Sequence, residues 1–130
     1  MSEVLPLAFE QTDLSQHIGA LDERELDQLE FGVIGFAGDT TVRIFNAFEA
    51  DASGLSSARV LGQPLFTVVA PCMNNYMVAQ RFEDAAAGGT TLDATIHYVL
   101  TLRMRPVKVL LRLLAAPHLP MRFVLVARTL

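Results

Sequence analysis

Three strand-patterned segments follow one another at the end of the chain, over residues 93–104, 107–115 and 121–129, and they decide its fold class. Pro106 bends the chain between the first two. Ala116-Pro117-His118-Leu119-Pro120 bends it between the last two, since proline has no N–H to give a sheet ladder. Connections this short join antiparallel neighbours. Earlier, residues 31–36 form a short apolar run, Ala37-Gly38-Asp39-Thr40 is a turn signal, and residues 41–45 alternate; together they read as a hairpin. Residues 46–71 mix helical turns with loop, punctuated by Ser53-Gly54 and Gly62. Asn74 or Asn75 caps the longest helix, residues 76–87, with Val78, Ala79, Phe82 and Ala86 as its buried stripe and Gly88-Gly89 as its stop. Two strands, several helices, then three strands predict an α+β domain, with one antiparallel sheet and helices on one face.

The first 29 residues read as a helical cap. Thr12 or Asp13 caps a short helix carrying Leu14, Ile18 and Leu21. Asp22 with Glu25 three residues on forms a capping box for a second, with Leu26 and Leu29 inward. A length of 130 residues fits one compact domain, divided into a cap over 1–29 and a core over 30–130. The chain is 52% hydrophobic and 18% charged, which excludes disorder. A net charge of −4 argues against a nucleic-acid binder. The apolar stretch 107–125 is broken by Lys108, Arg112, Pro117, Pro120 and Arg122, so no membrane insertion is expected. Residues 1–11 lack the pattern of a secretion signal, and a cytoplasmic location is expected.

The only cysteine, Cys72, closes the run Val68-Val69-Ala70-Pro71-Cys72 just before the long helix. It is either a buried free thiol of the core or a reactive thiol near a helix N-terminus. His17, His97 and His118 lie in different elements, in no Cys–His signature and no metal-ligand spacing, so neither an enzyme nor a metal site is expected. Glu49 stands among apolar neighbours in Phe45-Asn46-Ala47-Phe48-Glu49-Ala50. It is either a solvated glutamate on a helical turn or a desolvated, protonated acid able to donate a hydrogen bond.

Read together, these two residues carry a resemblance. From Leu21 onward the chain resembles the photoactive yellow proteins, bacterial blue-light receptors of the PAS fold. The likeness runs through Leu26-Asp27-Gln28-Leu29-Glu30-Phe31-Gly32-Val33-Ile34, Phe45-Asn46-Ala47-Phe48-Glu49, Val60-Leu61-Gly62 and Val69-Ala70-Pro71-Cys72. It continues through Phe82, Tyr98 and Met104-Arg105-Pro106-Val107-Lys108-Val109. The resemblance implies a PAS-like five-stranded sheet. It also implies a p-coumaric acid (4-hydroxycinnamyl) group held as a thioester on Cys72, with Glu49 hydrogen-bonded to its buried phenolate. Light would isomerise the group, Glu49 would give up its proton, and the cap would loosen as the signal. Tyr98 matches an aromatic residue beside the chromophore, and Met104 a methionine that aids dark recovery.

The chain also departs from the family. Phe45 stands where the family has a tyrosine that hydrogen-bonds the phenolate, and Leu55 where it has an arginine. Ser53 keeps the hydroxyl of a family threonine, and Leu100 replaces a phenylalanine. Loss of a hydrogen bond to a charged group, about 1.5–3 kcal/mol, implies a mixed ground state of phenol and phenolate. The second reading is a PAS-like ligand-binding or dimerisation module without photochemistry. Lys108, Leu110, Arg112 and Leu114 share one strand parity, and both faces of that strand are largely apolar. An apolar outer face calls for a cover, so a homodimer or a docked partner is expected there, over Leu110 and Leu114.

Overall fold

The computed structural model describes residues 7–101 and 106–128. The first described elements are α1 (Leu14–His17), a 3-10 turn (Ile18–Ala20) and α2 (Glu23–Leu26), followed by the hairpin β1 (Gly32–Phe36) and β2 (Val42–Phe45). Next come α3 (Ala47–Ser53), α4 (Ser57–Val60), a π-helical turn (Leu65–Val69) and a 3-10 turn (Pro71–Met73). The longest helix, α5 (Ala79–Gly88), leads into β3 (Leu92–Leu100), β4 (Val107–Ala115) and β5 (Arg122–Ala127). The sheet is antiparallel throughout and its order is β2-β1-β5-β4-β3, so the chain's last strand lies at the centre beside its first.

Two apolar layers flank this sheet. Ile34, Phe36, Leu111, Leu113, Val124 and Val126 point to one side, where they meet Val60, Phe66, Met73, Val78 and Phe82 from the helices and turns. Phe36 meets Phe66 and Phe82 edge-on, with ring centroids 5.4 and 5.0 Å apart, a favoured aromatic arrangement. Val33, Leu114, Phe123 and Leu125 point to the other side, where they meet Leu14, Ile18, Leu26 and Leu29 of the cap. Leu114 is therefore fully buried beneath the chain's own N-terminal segment, and at this position the cover comes from within the chain. Leu110 is half-buried.

Local signals explain much of the cap and the helix ends. Asp22 accepts from the Glu25 amide at 2.8 Å and Glu25 accepts from the Asp22 amide at 3.0 Å, a complete capping box. Gly89 adopts a left-handed conformation and stops α5. Asp13 does not cap α1 with its side chain; it pairs with His17 and Gln11. The expected start of the long helix moves from 76 to Ala79, and its buried alanine is Ala85 rather than Ala86. β4 has the expected span, β3 starts one residue earlier than expected and β5 one residue later, and the expected strand ends at 102–104 and 129, with Met104 among them, lie outside the described residues. Among the described residues, no helix is long and apolar enough to cross a membrane.

Candidate functional site

Cys72 sits in the 3-10 turn that follows the π-helical turn, half-buried against the helix-side core. Its carbonyl is held from two directions. The Tyr98 hydroxyl donates to it at 2.5 Å, and the Asn75 side-chain amide donates to it at 3.1 Å. Asn75 also donates to the Tyr98 oxygen at 2.5 Å, closing a triangle between β3 and the cysteine turn. Through Oδ1, Asn75 accepts from the amides of Met77 and Val78 at 3.0 and 3.2 Å, the bonds a helix N-cap makes, although the regular helix begins only at Ala79. The sequence marks Asn75 only as a cap candidate, and its hold on Cys72 depends on a tyrosine 23 positions away.

Phe45 and Leu100 are buried in the same apolar cluster that Cys72 packs against, with Ala50, Leu55 and Tyr98 at its margin. Ser53 uses its hydroxyl oxygen locally, accepting from the Leu55 amide at 3.2 Å. Glu49 lies in the first turn of α3, whose N-cap is Asn46. It is fully buried, on the helix side of the sheet, with its carboxyl over Gly32. Both oxygens accept from one guanidinium: Arg128 Nη1 to Oε1 at 2.7 Å and Nη2 to Oε2 at 2.9 Å. Burial pushes the Glu49 carboxyl above its ordinary range, Arg128 pulls it back, and the net direction is upward. The structure thus gathers Cys72, Phe45, Leu55, Tyr98 and Leu100 at one cluster, and it adds Asn75, marked by the sequence as a helix cap, and Arg128, which the sequence does not mark.

Gly32 makes room for this carboxyl. A Cβ at that position would meet Glu49 Oε1 at 2.0 Å and its Cδ at 3.0 Å. Gly32→Ala should therefore dislodge Glu49 from Arg128 and lower stability by about 1–3 kcal/mol, as overpacking does. Gly88→Ala is the control, since its Cβ would meet only Thr90 at 3.6 Å. Equal thermal midpoints for the two variants would show that Glu49 yields freely.

Among the described residues no group of three or more His, Cys, Asp or Glu is placed to hold a metal ion. No protein-family model matches the sequence. The photoactive yellow protein of Rhodothalassium salexigens is 31% identical over 103 residues, which span 79% of this chain and 82% of that protein. The chain belongs to the photoactive yellow protein family. The family member from Halochromatium salexigens is also 31% identical, over 101 residues covering 78% of this chain and 80% of its own length. Structural likeness agrees. The photoactive yellow protein domain of the sensor histidine kinase Ppr from Rhodospirillum centenum superposes with a TM-score of 0.77 at 33% identity, covering 86% of this chain and 97% of that domain. The PAS domain of the Cronobacter turicensis quorum-sensing receptor RpfR superposes at 0.58 with 13% identity, covering 79% and 96%, a likeness of fold alone. The expected PAS-like α+β architecture and the photoreceptor family of sensory domains are thus those of this chain.

Proposed function

We propose that this domain is a blue-light sensor that carries a p-coumaroyl thioester on Cys72, with Glu49 as its proton donor. The observation that carries this reading is one half-buried thiol and one fully buried carboxyl on the same side of the sheet, the thiol against an apolar cluster. These residues suit the group: a thiol to acylate, apolar side chains of Phe45, Leu55 and Leu100 to surround an aromatic ring, and a carboxyl whose affinity for a proton is raised by burial. When bound, the group supplies absorption of blue light and a phenol oxygen that can gain a proton.

The chain's own residues do the rest. Cys72 holds the acyl carbon through Sγ, and Tyr98 and Asn75 fix the turn that carries it. Glu49 holds a proton on one carboxyl oxygen and releases it to an acceptor in the apolar layer. The buried carboxylate left behind must be met by a rearranged partner, which drives a structural response. Asn46 offers a path for it: its side chain accepts from the Glu49 amide and donates to the carbonyls of Leu26 and Phe31. Phe45 offers no hydroxyl and Leu55 no charge, so ionised phenol is less stabilised than with a tyrosine and an arginine at these positions.

Reconstitution tests the reading. Purified chain mixed with activated p-coumaric acid should gain the mass of one coumaroyl group, Cys72→Ala should gain none, and blue light should bleach the adduct reversibly. Its yellow and near-ultraviolet forms should interconvert within about pH 5 to 10, because a shifted phenol still titrates. An adduct indifferent to light would favour the ligand-binding or dimerisation module, and a mixture constant across that range would sink the mixed ground state.

A further inference from the structure

Two arrangements of the Glu49 carboxyl exclude each other. An ionised carboxylate accepts on both oxygens, and a guanidinium offers a matching pair of donors, as Arg128 does here at 2.7 and 2.9 Å. A protonated carboxyl that donates to another group must turn its O–H away from a guanidinium, which has no acceptor. The geometry points to Arg128 as a counter-ion clamp: it holds Glu49 while Glu49 is ionised and lets go of one oxygen while Glu49 holds a proton for donation. The donation half of this statement rests on the photoreceptor reading; the clamp itself does not.

Burial decides which partner moves. The Glu49 side chain is 0% exposed and the Arg128 side chain 19%. Arg128 follows the end of β5 and can swing toward water without stranding a charge, whereas Glu49 is seated against Gly32 and anchored by the N-cap of α3. Among the described residues, Arg128 is the charged group that touches this carboxyl; β1 meets it with Gly32, and the nearby Asp27 is turned to the Ala47 amide. On donation, the O–H bond of Glu49 breaks, the proton joins the phenolate oxygen, and the negative charge passes from phenolate to carboxylate. Arg128 stays a cation throughout, so the clamp closes on the new carboxylate and slows the proton's return.

The sign of the pH dependence follows. Burial raises the folded carboxyl above its ordinary range, so the folded chain binds this proton more tightly than the unfolded chain. Its contribution to stability is full below the ordinary carboxylate range and is lost as pH rises through the raised value. Without the clamp the raised value climbs further, and the loss becomes larger.

The test begins on the chain without chromophore. Infrared spectra across pH should show a protonated carboxyl band that vanishes in Glu49→Gln. In Arg128→Gln its midpoint should lie higher in pH, and in Arg128→Lys close to the parent. The stability gap between parent and Arg128→Gln should widen from acid to neutral pH. Equal midpoints in parent and Arg128→Gln overturn the clamp. If Arg128→Gln fails to fold at neutral pH but folds in acid, the clamp is supported. On the reconstituted chain, recovery in the dark should be about tenfold faster in Arg128→Gln, the order that a charged hydrogen bond carries. A shifted midpoint with unchanged recovery overturns the role in donation. Failure to form any adduct sinks the photoreceptor reading and the donation half with it, while the titration still judges the clamp.

Discussion

An Asn46→Ala chain is expected to lose about 4 kcal/mol of unfolding stability, because one buried side chain satisfies four buried backbone groups. Its Oδ1 accepts from the Val33 amide at 2.9 Å and from the Glu49 amide at 3.1 Å. Its Nδ2 donates to the Leu26 carbonyl at 2.8 Å and the Phe31 carbonyl at 3.1 Å. Truncation removes the N-cap of α3 and leaves those groups without partners, and each unsatisfied buried group costs about 1–3 kcal/mol, less where water or relaxation reaches it. Against a total of about 5–15 kcal/mol for a domain of ordinary stability, such a loss is a large fraction. Denaturant unfolding measures it. Asn46→Asp separates the two halves of the network, since it keeps both acceptors and turns a charge on the two carbonyls. A loss below about 1 kcal/mol for the alanine variant would mean that water replaces the side chain.

The second large effect concerns the docking of the cap. Arg112, on the outer face of β4, is buried and fully engaged. Its Nε and Nη2 donate to the Asp93 carboxylate at 2.9 and 2.8 Å, and Nη1 donates to the carbonyls of Phe9 and Gln11 at 2.8 and 2.7 Å. One guanidinium therefore ties β3, β4 and the start of the cap. Arg112→Met keeps an apolar stem and removes every donor. Breaking a buried pair costs about 3–5 kcal/mol, and the partial exposure of Asp93, Phe9 and Gln11 reduces this to about 2–3 kcal/mol. The loss should fall unevenly. Amide exchange at Leu14, Ile18 and Leu26 should speed strongly, while that of β4 and β5 should change little. Uniform exchange across both regions would show that cap and sheet open as one unit.

How far the sequence reaches is set by separation along the chain. The Asp22–Glu25 box, the hairpin turn and the glycine stop of α5 are local, and each is legible because its partners lie within a few residues. The three final strands follow from their bends. α5 starts at Ala79 rather than at 76, after a turn whose Asn75 is pinned to Tyr98 of another strand, a partner that no local spacing marks. Ala85 rather than Ala86 faces inward, a choice that spacing leaves open because both lie near the face of Phe82, three and four residues on. Glu49 could be suspected from its apolar neighbours, but its partner Arg128 lies 79 positions away in a segment with no pattern of its own. Arg112 looked like one polar residue on an outer face, and its carbonyl partners lie more than a hundred positions earlier. The outer face of β4 reads as apolar from its sequence, and a second chain or a partner is the cover expected there. That the cap covers Leu114 itself follows from no spacing, because any apolar surface would serve equally well.

The order of strands carries a consequence for how the molecule is made. β1 pairs with β5, and the cap rests on Phe123 and Leu125 of that same strand. During synthesis from the N-terminus, the first elements to emerge must wait for almost the whole of the described chain before the strand that completes them appears. Until then Leu14, Ile18 and Val33 have no permanent surface to meet, so this domain folds only once β5 has been made. Apolar segments exposed during such a wait are the kind of surface that chaperones shield.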